Sequence, residues 1–157
     1  MKSIVTFLLV LIMANVAVAQ TAQPVSSLNE LANGKEYKFY YGYWDNDYSD
    51  YIFIDSNYNE PFTTLSINKD ATELTVKNIQ PKEDNNGKMS YETLNQSVSR
   101  VEIKDDYLIY INTLSGDNEI KFDSLHFETY AGDMCLRNDM IKTLVIIQTP
   151  EFTNDIK

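Results

Sequence analysis

Few residues in this chain are of the kinds that do covalent chemistry. The sequence holds one histidine, His126, and one cysteine, Cys135. A histidine-based zinc site therefore lacks ligands, and a Cys–His nucleophile would need these two residues to face one another. Neither a glycine-rich phosphate loop nor a Gly-x-Ser-x-Gly elbow occurs. Which carboxylates of so acidic a chain face one another is a three-dimensional question, so a carboxylate pair stays open. The inventory points to a protein that binds rather than catalyses, with no cofactor and no metal expected. Cys135 has two readings, a small buried core residue or half of an intermolecular disulfide.

The most unusual segment runs from Tyr40 to Tyr51 and crowds aromatics and carboxylates together. One reading packs the rings in the core beneath a solvated acidic loop. Another makes Asp45, Asp47, Tyr48, Asp50 and Tyr51 a surface for a basic partner, with Tyr48 and Tyr51 in the acidic setting that favours sulfation. Asp45, Asp47 and Ser49 alternate as calcium ligands do, but Asp50 stands where the EF-hand turn needs glycine and Ser56 where it needs a bidentate glutamate. Asn95-Gln96-Ser97 is an N-glycosylation sequon, expected in a loop between strands.

The elements that carry these residues follow from periodicity. Lys2, the apolar run Ile4 to Met13 and the small-x-small site Ala17-Val18-Ala19 form the pattern of a cleaved signal peptide, residues 1–19. The run is too short to span a bilayer, so no stable membrane insertion is expected. The address is secreted or extracellular, and periplasmic or secreted if the source is bacterial. Residues 20–34 read as an arm and a short helix, Leu28 to Asn33, with the capping-box spacing Ser27 to Glu30 and Gly34 as its stop. Residues 35–157 then read as one antiparallel β domain, in which short alternating segments are joined by turn signals such as Asn85-Asn86-Gly87 and Asp105-Asp106.

The strands expected lie near 36–44, 50–55, 62–67, 73–79, 88–94, 99–104, 107–113, 119–127 and 143–149. Their fold class is all-β, an antiparallel up-and-down meander of about eight or nine strands with one short N-terminal helix. Between Ile120 and Phe127 the apolar parity slips, which predicts a bulge near Asp123 or Ser124. Leu144 to Ile147 is apolar on both faces and must be covered on both, by the helix or by another subunit. The stretch 128–142 carries no clear strand and is read as irregular, with room for a turn of helix. A net charge of −10 opposes nucleic acid and anionic membranes as partners.

Gly42-Tyr43-Trp44, Asp106-Tyr107-Leu108-Ile109-Tyr110 and Arg137 occur in the order of the lipocalin signatures, and the chain resembles that family of calycin barrels. The resemblance implies a small barrel that holds a small apolar or amine ligand. Its lining would come from the inward aromatics among Phe39, Tyr41, Phe53, Tyr110 and Phe122. It also implies structural roles for Trp44, closing the barrel floor, and Arg137, stacked on its indole. Trp44 comes late in its strand, and the long helix and the disulfides of that family are missing. The rival expectation is a secreted interaction protein, such as a salivary-type vasoactive or antihaemostatic factor, binding a basic extracellular protein through the acidic Tyr-rich loop.

Overall fold

The computed structural model describes residues 25–53, 61–113, 119–148 and 152. The proposed signal peptide and most of the arm fall outside the described residues, as do the side chains of 113, 120 and 122. Among the described residues one helix, α1 (Leu28–Leu31), precedes nine strands. These are β1 (Tyr37–Asp45), β2 (Asp50–Phe53), β3 (Phe62–Ile67), β4 (Glu73–Glu83), β5 (Met89–Lys104), β6 (Tyr107–Thr113), β7 (Glu119–Tyr130), β8 (Asp133–Asn138) and β9 (Thr143–Ile147).

Every pairing is antiparallel, and β9 returns to β1, with Tyr41 opposite Val145. An eight-stranded meander barrel thus closes through β1, β3, β4, β5, β6, β7, β8 and β9, with β2 as an additional strand. Closure removes the exposed edges that open sheets must defend. The strand β1 serves three neighbours, because its first half pairs with β3 and its second half with both β2 and β9.

Alternation sorts the side chains into an interior and an outer wall. Tyr37, Phe39, Leu65, Ile67, Leu74, Val101, Leu108, Leu125, Phe127, Leu136, Val145 and Ile147 form one buried interior cluster. Leu28 and Leu31 of α1 belong to it and are almost wholly enclosed, so the helix closes the end of the barrel where β1 begins. Ser27 caps that helix, its Oγ accepting from the Glu30 N–H at 3.3 Å. Half of the expected capping box forms: the Glu30 carboxylate accepts from the N–H and hydroxyl of Ser26, at 2.7 and 2.9 Å, rather than from Ser27, and the helix is a single turn that ends at Leu31, short of the expected Asn33.

The parity slip in β7 has the expected cause. Asp123 takes φ +60°, and the ladder to β6 shifts between Ile109, opposite Ser124, and Ile111, opposite Lys121. One extra residue on β7 re-aims the strand there. Two other expectations are corrected. The segments 88–94 and 99–104 are one continuous strand, β5, so Asn95 lies within a strand opposite Asn78 and not in a loop. The stretch 128–142 holds the end of β7, the tight turn Ala131-Gly132 with both residues at positive φ, and then β8. In β8 the apolar run Met134-Cys135-Leu136 hides its alternation because both faces are buried.

Candidate functional site

The barrel changes character along its axis. At the α1 end the inward side chains are apolar or aromatic, with the single phenol of Tyr37 accepting from Asn33 Nδ2 at 2.8 Å, and at the opposite end they are phenols, a threonine hydroxyl, amides and a carboxylate. Tyr41 and Tyr43 come from β1, Thr63 from β3, Asn78 from β4, Tyr110 from β6, Asp123 from β7 and Asn138 from β8, all on or next to the inward parity. Tyr41 packs edge-on against Phe39 at 5.1 Å and is stacked at 6.3 Å from Tyr43. Tyr41 is 39% exposed and Tyr43 48% exposed, so solvent reaches these interior-facing rings and this end of the barrel is open.

The polar groups at the open end are held in place. Asn138 Nδ2 donates to both carboxylate oxygens of Asp123, at 3.0 and 3.1 Å, while its Oδ1 accepts from the N–H groups of Met140 and Ile141 at 3.0 and 3.2 Å. On the other side Thr63 Oγ1 donates to Asn78 Oδ1 at 3.1 Å, and Asn78 Nδ2 donates to Asn95 Oδ1 at 2.8 Å. Tyr110 packs against the apolar interior cluster. Burial first, then the neighbouring Tyr41 and the charge of Asp123, push its phenol up to about 12. Asp123 was noticed in the sequence only as a bulge. Its place beside Tyr110 depends on the register shift that the bulge itself creates.

The expected inward aromatics divide. Phe39, Tyr41 and Tyr110 face the interior, Phe39 in the closed apolar part and the two tyrosines toward the open end. Phe122 lies in β7 beside the bulge, with its side chain outside the described residues. Phe53 lies on the outer wall, opposite Gly42, because the four-residue turn 46–49 sets it on the outward parity. There it joins Tyr40, Tyr51 and Tyr130 over a second buried cluster, Cys135, Leu144 and Ile146. This layer is what covers the outer face of β9, in place of the expected helix or subunit. Cys135 is fully enclosed, its thiol donates to the Glu128 carbonyl at 3.4 Å, and burial pushes its pKa up to about 12. It stands opposite Glu128, whereas His126 stands opposite Arg137 with its ring 4.8 Å from Tyr107.

Above this outer cluster lies a cavity of about 410 Å³, lined by the aromatic rings of Trp44, Tyr51 and Tyr130 and by the polar heads of Glu128, Arg137, Asp139 and Lys142. Trp44 and Tyr51 meet edge to face at 5.3 Å, as do Tyr51 and Tyr130 at 5.5 Å. The Lys142 ammonium lies 5.8 Å from the centre of the indole. Arg137 donates to Glu128 through Nη1 and to Asp139 through Nε, the latter at 2.6 Å. Trp44 therefore sits on the outer wall, away from the helix-capped floor where the resemblance to lipocalins put it. Arg137 is engaged by two carboxylates.

No family model, curated protein or solved structure matches the chain. The barrel is of the kind that calycins share with other families, and residue geometry carries the functional argument. Asp106-Tyr107 turns between β5 and β6 and Arg137 lies inside β8, whereas the resemblance implies the first between the sixth and seventh strands and the second after the eighth.

The acidic loop is largely engaged in its own turn. Asp45 Oδ1 accepts from the N–H groups of Asp47 at 2.7 Å and Tyr48 at 3.1 Å. Asp50 accepts from the Tyr130 hydroxyl and from the Tyr51 N–H, which hold its carboxyl below the usual carboxylate range. Tyr51 belongs to the outer aromatic layer, while Tyr48 is 78% exposed. Among the described residues no group of three or more His, Cys, Asp or Glu side chains is placed to hold a metal ion.

Proposed function

We propose that this protein is a non-enzymatic carrier or scavenger of a small amine-bearing ligand, released outside the cytoplasm after cleavage at Ala19 and binding its ligand in the open end of the barrel. The observation that carries the reading is the placement of the Asp123 carboxylate beside Tyr110, in an interior whose Tyr41 ring solvent reaches. An ammonium there would pair with Asp123, and its carbon skeleton would lie against the tyrosine rings and the apolar layer beneath them. The net charge of −10 attracts cations and repels anionic competitors. An acidic surface for a basic protein is the weaker reading, because Asp45 and Asp50 are committed to bonds within the hairpin.

Calorimetric titration with tyramine and with its neutral analogue p-cresol tests the proposal. Tyramine is expected to bind more tightly, and Asp123→Asn to weaken it about tenfold while leaving p-cresol unchanged, the effect of one charge-assisted contact. Asparagine keeps an acceptor for Asn138 and tolerates the positive φ at this position. Equal binding of tyramine by both proteins, or binding by neither, would reject an amine site at the open end.

A further inference from the structure

We propose that the cavity on the outer wall is a second binding site, for a neutral saccharide. Its walls are of two kinds. Trp44, Tyr51 and Tyr130 supply aromatic surface, held edge to face so that the rings cannot collapse onto one another. Glu128, Arg137, Asp139 and Lys142 supply polar heads in compensating numbers, two acidic and two basic. A ligand with both apolar and hydroxylated surface satisfies both kinds of lining. The axial C–H face of a pyranose lies on an aromatic ring, and its hydroxyls both donate to carboxylates and accept from guanidinium and ammonium groups.

Other ligand chemistries fit less well. A cation meets Arg137 and the Lys142 ammonium already standing by the indole, and an anion meets Glu128 and Asp139. A purely apolar ligand would strip water from four charged heads without replacing their hydrogen bonds. A volume of about 410 Å³ lies at the low end of small-molecule sites and suits one or two sugar rings. The polar heads are also preorganised. Arg137 is fixed between Glu128 and Asp139, and the hydrogen bond from Tyr130 to Asp50 orients one of the aromatic walls.

The chain has a single tryptophan, Trp44, so its fluorescence reports on this cavity and not on the barrel interior. The protein is titrated with methyl glucoside, methyl galactoside, methyl mannoside and diacetylchitobiose, with choline chloride and sodium sulfate as charged controls. A saturable change in Trp44 emission with at least one saccharide and with neither control is expected. Asp139→Asn and Arg137→Lys should each weaken that response about tenfold, since each alters a charged hydrogen-bonding head. Asp139 is 66% exposed, so its substitution leaves the outer cluster packed. Asp123→Asn should leave the response unchanged, which separates this site from the barrel interior. No saturable response to any saccharide, a response to choline or sulfate instead, or a saccharide response that both cavity variants leave intact would overturn the proposal.

Discussion

Gly42 shows how much of the outer wall depends on one missing side chain. A Cβ built there would lie 2.4 Å from Cε1 of Phe53, because the phenyl ring rests directly on the glycine backbone of the paired strand. The ring shields the glycine and in turn supports Tyr40 at 5.7 Å and Tyr130 at 5.9 Å. Gly42→Ala should therefore displace Phe53 and destabilise the protein by about 1–3 kcal/mol, the usual cost of overpacking, as read from urea unfolding midpoints. Tyr110 carries a pH consequence. Its native pKa, about 12, is raised above the ordinary phenol value of 10, so the native state holds this proton more tightly than the unfolded chain. The resulting stability is fully present below pH ~10 and is lost as pH rises toward about 12, roughly 2–3 kcal/mol across that interval. Alkaline unfolding followed by circular dichroism should accordingly be shallower in Tyr110→Phe than in the parent protein.

The strands were legible in proportion to how one-sided their burial is. Val101 to Lys104 alternates in sequence because one face meets the interior and the other is more exposed. The slip at Asp123 was legible for the same reason, since a bulge transfers the apolar set from one parity to the other. β8 was not, because Met134 and Leu136 bury inward while Cys135 buries outward, which erases the period. The continuity of β5 through Asn95-Gln96-Ser97 was hidden for the opposite reason. All three residues are exposed, and a strand with both faces wet has no apolar period to read. The position of Phe53 required the length of the turn at 46–49, a matter of backbone geometry. As for α1, one helical turn has little stability of its own, and it persists because Leu28 and Leu31 close the barrel end. Leu31→Ala should cost about 2–5 kcal/mol in urea unfolding, far more than helix propensity accounts for, while Ser27→Ala should cost about 1 kcal/mol.

Over the whole molecule, closure of the sheet and its polarity gradient work together. An eight-stranded barrel has an interior just large enough to fill with side chains or to hold one small ligand. Here the α1 end is packed, and the far end is left to tyrosines, amides and Asp123. The strand periodicity made an all-β meander legible, but not which end would stay open. That follows from the N-terminal helix sealing one rim and from inward polar residues on six strands meeting at the other. A ¹⁵N–¹H correlation spectrum recorded during titration with tyramine tests the central claim most directly. The account predicts saturable shifts centred on the amides of Tyr41, Tyr110, Ser124 and Asn138. Shifts confined to Trp44, Tyr130 and the rest of the outer wall, or no shifts at saturating tyramine, would contradict it.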